Sequence, residues 1–375
     1  MKLELVATCL FGLERLLGEE IEALGYERIS TIDGRITFLG DEEAVALSNI
    51  FLRYAERVYI KVGSFRAESF TELFDGVKAL KWSDFIGKDD AFPVKGHAIK
   101  SALHSIPDCQ SIVKKAVVKS LQDVYGISVF PESKIKYQIE FFILNDVATL
   151  MIDTSGVALH KRGYRRDSLG APIRETLAAA IAAISRPREN VLFWDPMCGS
   201  GTIVIEAAMQ MRKIAPGVNR HFAAEEFSFI SPKTWRDARD EARSLEVKCD
   251  FEAYATDIDP AAVALAAKNA TLAGVSDTVR CFVADARGIS AKERRGTIVT
   301  NPPYGERLGT VREAEALYRE IGEHFRSLSP WQVYIITSHP SFERFYGKKA
   351  DKVRKLYNGM LPCYLYQFFK NEYKK

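Results

Sequence analysis

Over the first 155 residues, hydrophobic and polar positions fall into short blocks that switch between a period of two and a period near 3.6. Residues 3–8 read as a strand, and residues 11–21 carry apolar side chains at helical spacing until Gly25 ends the helix. Ile32-Asp33-Gly34-Arg35-Ile36 reads as a hairpin and Asp41 as the cap of a second helix. Further strands are expected at 57–62 and 92–96, then a helix over 111–125. Two late strands, 136–143 and 147–153, meet at the turn pair Asn145-Asp146.

From Pro172 the pattern changes to long helices alternating with apolar strands, as in a parallel sheet covered on both faces. Strands are expected at 190–195, 253–257, 279–284, 297–300 and 333–338, followed by a final pair ending at 364–369. These patterns divide the chain into an α+β unit (1–56), a second unit (57–155), a basic link (156–171) and a doubly wound α/β domain (172–375). Strands followed by a lysine-bearing helix suit the second unit to binding.

Composition changes little: of 375 residues, 47% are hydrophobic and 27% charged, as in ordinary globular proteins. There is no basic leader followed by an apolar run and no uninterrupted apolar stretch long enough for a membrane, so a cytoplasmic protein without a membrane partner is expected. Six cysteines lie far apart, with neither a CxxC pair nor a histidine at ligand spacing, so no metal site is expected. The net charge of +3 hides an asymmetry. Residues 1–50 hold 4 Lys/Arg against 10 Asp/Glu, and residues 156–375 hold 34 against 26. Lys114, Lys115 and Lys119 on the 111–125 helix, with Lys161, Arg162 and Arg165 in the link, are the candidate contacts for a polyanion.

The candidate chemistry lies at strand ends. Asp195-Pro196-Met197-Cys198-Gly199-Ser200-Gly201-Thr202 follows an apolar strand and opens a helix. The glycines let a ligand approach the backbone, the helix N-terminus offers N–H groups to a carboxylate, and Asp195 can take an ammonium; an amino-acid headgroup fits both, and a pyrophosphate fits poorly beside that carboxylate. Asp257, followed by Ile258, ends the next strand and suits ribose hydroxyls, whereas Asp259 suits a helix cap. Asp285, followed by Ala286, ends the third and suits an adenine amine. After the fourth comes Asn301-Pro302-Pro303-Tyr304. The prolines stiffen that turn, the Asn301 side-chain oxygen and the Pro302 carbonyl can accept from an exocyclic amine, and Tyr304 offers a stacking face. Such a site directs an amine lone pair at a methyl sulfonium without a general base. Asn301 would also touch the cofactor.

With these motifs, the run 301–309, the link His160-Lys161-Arg162-Gly163-Tyr164-Arg165 and the stretch 172–179, the chain resembles the bacterial THUMP-containing 23S ribosomal RNA N2-guanine methyltransferases. The resemblance implies ferredoxin-like and THUMP units before a Rossmann-like class I methyltransferase domain with a C-terminal antiparallel strand. It implies S-adenosylmethionine held by Asp195 to Thr202 with Asp257 and Asp285, and a target guanine held by Asn301 to Tyr304. It also implies RNA as partner, 23S or a large-subunit precursor, and gives Arg165 and Arg174 a place near the methionine end. Transfer RNA is the rival substrate. A noncatalytic RNA-binding or ribosome-assembly factor is the rival of another class.

Overall fold

The computed structural model describes residues 1–165, 173–290, 294–304, 310–328 and 330–369. Arg166, the end of the link, Pro172 and the stretch 305–309 lie outside the described residues.

The described chain forms two compact units, each around one seven-stranded sheet. Unit 1 comprises 1–8, 18–159 and 221–241; unit 2 comprises 9–17, 160–220 and 242–375. The first sheet draws on β1 (Leu3–Cys9), β2 (Arg28–Ile32), β3 (Arg35–Gly40), β4 (Ala55–Arg66), β5 (Val94–Ile99), β6 (Ile139–Leu144) and β7 (Val147–Asp153), in the order β2-β3-β1-β4-β7-β6-β5. Helices α1 (Glu14–Ala23), α2 (Glu42–Phe51), α3 (Phe70–Lys78) and α4 (Ile106–Tyr125) accompany it. Local sequence explains the boundaries. The Asp41 carboxylate accepts from the Ala44 N–H and caps α2. Asn145 and Asp146 take positive φ (50° and 63°) in the two-residue turn joining β6 to β7. Helix α3, which the hydrophobic pattern did not reveal, begins in a Ser69/Glu72 capping box.

Residues 221–241 sit inside the sequence of the α/β segment but belong to unit 1. Aromatic packing accounts for this: Phe227 stacks on Tyr137 with ring centroids 4.4 Å apart, and the Tyr137 hydroxyl accepts from the Ser228 N–H. Both rings are fully buried.

Unit 2 carries α5 (Glu175–Ser185), β8 (Leu192–Asp195), α6 (Thr202–Met211), β9 (Ala253–Asp257), α8 (Pro260–Leu272), β10 (Val279–Val283), β11 (Gly296–Thr300), α9 (Val311–Ser327), β12 (Gln332–Thr337), α10 (Phe342–Tyr346), β13 (Lys352–Asn358) and β14 (Leu361–Phe368); α7 (Pro232–Ser244) begins in unit 1 and ends here. The strand order is β10-β9-β8-β11-β12-β14-β13. The first five strands run parallel, and β14 enters antiparallel between β12 and β13. This is the doubly wound, mostly parallel sheet expected of the segment, closed by an antiparallel hairpin. Strand order reverses between β8 and β11, and open α/β sheets bind ligands outside the carboxyl ends of their strands at such a switch point. Beneath it, Leu192, Trp194, Ile298, Tyr318, Ile335, Phe342 and their neighbours form one apolar core.

Candidate active site

A cavity of about 610 Å³ opens at this switch point, in the size range of small-molecule sites. Its walls include every strand-end residue singled out from the sequence except Gly201: Asp195, Pro196, Cys198, Gly199, Ser200 and Thr202 from the first turn, Asp257 and Ile258 from the second, Asp285 and Ala286 from the third, and Asn301 to Tyr304 from the fourth. Gly201 stands behind the wall, at φ +78°, where an added Cβ would lie 3.0 Å from the Ala266 Cβ. Its close approach lets α6 start against α8.

The first turn is held from several sides. The Cys198 N–H donates to the Thr256 carbonyl (2.9 Å), the Gly199 N–H donates to Asp257 Oδ2 (2.9 Å), and Asn269 Nδ2 donates to the Ser200 carbonyl (2.9 Å). Gly199 takes φ +51° with open space where a side chain would stand, as a backbone that must admit a ligand requires.

Asp195 is buried (2% exposed) and accepts from Thr300 Oγ1 (2.7 Å) and the Met197 N–H (3.2 Å). Burial pushes its carboxyl up to about 7, with the nearby Asp257 carboxylate acting in the same direction against those two hydrogen bonds. A carboxyl held this way favours a cation beside it. Asp257 accepts from Gly199 and, through Oδ1, from the Asp259 N–H (3.1 Å), while Asp259 caps α8 by accepting from the Ala261 N–H. Asp285 reaches the cavity already engaged. The Arg287 Nε donates to both its oxygens (2.8 and 2.9 Å), which holds its carboxyl below the ordinary range, and Arg287 Nη1 also donates to Glu320 (3.0 Å).

The Asn301 to Tyr304 loop leaves β11 over the same cavity, with Pro302 buried and its neighbours half-buried. The Pro303 carbonyl accepts from the Tyr318 hydroxyl (2.9 Å), which lies 3.2 Å from Thr337 Oγ1. Of the two proline carbonyls, that of Pro303 is therefore committed to the protein. Burial raises the Tyr318 phenol to about 12, keeping it a proton donor. Tyr318 was not a sequence candidate. Its only signal is its place on the apolar stripe Ala314, Tyr318, Ile321, Phe325 of α9, which reads as core. Leu317, Arg287 and Glu320, which join the lining, were not sequence candidates either.

The candidate polyanion contacts divide. Lys115, Lys119 and Lys161 are exposed, Lys119 pairing at 3.0 Å with Asp123 one turn on. Lys114 is tied down: its Nζ lies 3.6 Å from the centre of the Phe92 ring and donates to the Phe92 carbonyl (3.1 Å) and Glu132 (2.5 Å). Arg162 and Arg165 require correction. The Arg162 side chain is 2% exposed, with Nε 3.4 Å from a Glu206 oxygen that also accepts from the Tyr164 hydroxyl. Arg165 donates to Glu175 (2.9 Å), the Ile173 carbonyl (2.9 Å) and Thr202 Oγ1 (3.2 Å). Buried acids need partners, so Arg162 turns inward to Glu206 of α6 and Arg165 to Glu175 of α5 and Thr202 at the start of α6, and neither guanidinium is exposed as the three lysines are. Among the described residues no group of acidic, histidine and cysteine side chains could hold a metal ion, and no helix is long and apolar enough to cross a membrane.

Residues 162–367 match the RMKL-like methyltransferase domain, residues 4–59 the RlmL ferredoxin-like domain and residues 67–153 the THUMP domain. A Bacillus subtilis (strain 168) protein provisionally named RNA methyltransferase YpsC is 42% identical over 98% of this chain and 96% of its own. The ribosomal RNA large subunit methyltransferase K/L of Syntrophotalea carbinolica is 34% identical over 96% of this chain, which spans 53% of that longer protein. The crystal structure of SMU.472, provisionally a methyltransferase and complexed with SAH, is 42% identical, covers 100% of this chain and 99% of its own, and superposes with a TM-score of 0.92.

Proposed function

The chain belongs to the RMKL-like methyltransferase family, and from that premise we propose that it transfers a methyl group from S-adenosylmethionine to the exocyclic N2 of a guanine in 23S ribosomal RNA. The observation that carries the reading is the meeting of Asp195 and Asn301 on one cavity at the sheet's switch point, in a chain that also holds a THUMP domain.

The donor set fits S-adenosylmethionine. A buried carboxyl driven up to about 7 matches an ammonium group, and the open backbone at Gly199 with the N-terminus of α6 matches the adjoining carboxylate. Asp257 keeps lone pairs for ribose hydroxyls, and Ile258, Ala286 and Leu317 give an apolar slot for a purine next to Asp285. When bound, the cofactor supplies an electrophilic methyl group.

The remaining work belongs to the chain. A guanine drawn out of its strand stacks on Tyr304, a contact worth about 1 to 3 kcal/mol. The Asn301 side-chain oxygen and the Pro302 carbonyl accept from the N2 hydrogens and hold the nitrogen lone pair in line with the methyl group. The methylated nitrogen then loses a proton to solvent, so orientation supplies most of the rate. Lys115, Lys119 and Lys161 hold phosphates of the same RNA.

The test is incubation of the protein with tritiated S-adenosylmethionine and fractionated RNA from cells lacking the gene, followed by nucleoside chromatography. Label in N2-methylguanosine of the 23S fraction is expected. Label confined to transfer RNA would move the substrate, label in N6-methyladenine would overturn the base, and no label with cofactor binding intact would make the protein a noncatalytic binder.

A further inference from the structure

Beyond the cavity, unit 2 presents an unusual feature at the tip of the hairpin formed by β13 and β14. Asn358 pairs with Leu361, leaving Gly359 and Met360 as a two-residue turn, with Gly359 at φ +68°. Met360, its second residue, is 94% exposed. A side chain this exposed buries almost no apolar area and so contributes little to folding.

The tip touches the residue next to the cavity wall. The Arg174 N–H donates to Asn358 Oδ1 (3.2 Å), and a Cβ at Gly359 would stand 3.3 Å from the Arg174 guanidinium. The residue before Arg174, Ile173, lines the cavity. From the other side, Tyr364 of β14 lies opposite Thr337, whose hydroxyl meets the Tyr318 that holds the Pro303 carbonyl. From Tyr364 the hairpin runs three residues further to Leu361, about 10 Å past the carboxyl edge of the sheet.

The surroundings have the chemistry of a nucleic-acid surface. Phe11, 53% exposed, packs edge-on against Tyr357 with centroids 5.7 Å apart, and Lys355 Nζ lies 5.4 Å over the same ring. Lys355 is exposed and pairs with Tyr364, level with the carboxyl end of β12, so its charge stands at the tip end of the hairpin. An exposed ring packed on a half-buried one beside a cation fits stacked bases and a phosphate.

We propose that this hairpin tip contacts the RNA beside the target nucleotide, and that Met360 enters the base stack as a wedge in the space the extruded base leaves. Apolar side chains fill that role where proteins part neighbouring bases. The inference rests on the RNA methylation reading above.

The experiment compares initial rates of tritium transfer to RNA from cells lacking the gene by the full chain and its Met360→Ala, Met360→Leu and Lys355→Ala variants. Calorimetric binding of S-adenosylhomocysteine is measured alongside. Met360→Ala is expected to lose about tenfold in kcat with cofactor affinity unchanged, Met360→Leu to recover most of it, and Lys355→Ala to raise KM for RNA with a shallower salt dependence. A wild-type rate in Met360→Ala, or a wild-type dimer in sedimentation that Met360→Ala disperses, overturns the wedge while leaving RNA methylation standing. No transfer to RNA by the wild type overturns both.

Discussion

Thr300 Oγ1 donates to Asp195 Oδ1 across 2.7 Å, joining the last residue of β11 to the last residue of β8 at the point where strand order reverses. One bond thus links the turn proposed for the cofactor to the strand that delivers Asn301. It also fixes one oxygen of Asp195 and leaves the other for a cation.

The raised carboxyl of Asp195 makes stability depend on pH. Its native value, about 7, lies above that of an unfolded aspartate, so the folded ligand-free protein binds the extra proton between the two. Stability is therefore greatest below about pH 4 for this group and falls as pH rises to about 7, by on the order of 4 kcal/mol in total. Asp195→Asn should remove that slope, melt higher than wild type at neutral pH, and lose affinity for S-adenosylhomocysteine. Parallel thermal melts across the range, with calorimetry, check it; a variant that melts lower at neutral pH and binds normally refutes the assignment.

If the Asn301 oxygen acts on the reacting amine, as proposed, Asn301→Ala should bind S-adenosylhomocysteine with nearly unchanged affinity and transfer no measurable methyl group. Single-turnover transfer is the measurement, and normal turnover would remove Asn301 from the chemistry.

Tyr318→Phe deletes only the hydroxyl that holds the Pro303 carbonyl. The loss leaves a carbonyl without its partner at the loop's second proline, at a cost of about 1 to 3 kcal/mol. Methyl transfer should fall while cofactor affinity stays. Equal kcat in the two proteins would show that the loop holds its shape unaided.

Arg162→Ala should destabilise the protein by about 3 to 5 kcal/mol in urea unfolding, since Glu206 would be left buried without it. Lys161→Ala, at an exposed neighbour, should change stability by less than about 0.5 kcal/mol and instead lower the salt dependence of RNA binding. A stable Arg162→Ala with weakened RNA binding would return that guanidinium to the surface.

The sequence by itself determined the parallel sheet and the residues at its carboxyl edge. The inner strands β8 and β11 are buried throughout, and each of the four strands meets a polar residue at its end or within two positions past it, so Asp195, Asp257, Asp285 and Asn301 were visible as a series. Turn chemistry is equally local, which is why Asp41 and Asn145-Asp146 could be read directly. The tertiary structure alone decided partnership. Arg162 and Lys161 are neighbours of like charge in the sequence, but only Arg162 meets an acid 44 residues away in the core. Tyr318 looks like any core aromatic until Pro303 and Thr337 converge on its hydroxyl. The same is true of residues 221–241, whose aromatic side chains find Tyr137 and so join unit 1. Pattern fixes which face of an element is buried; which distant group it is buried against depends on packing, and no period in the sequence carries that information.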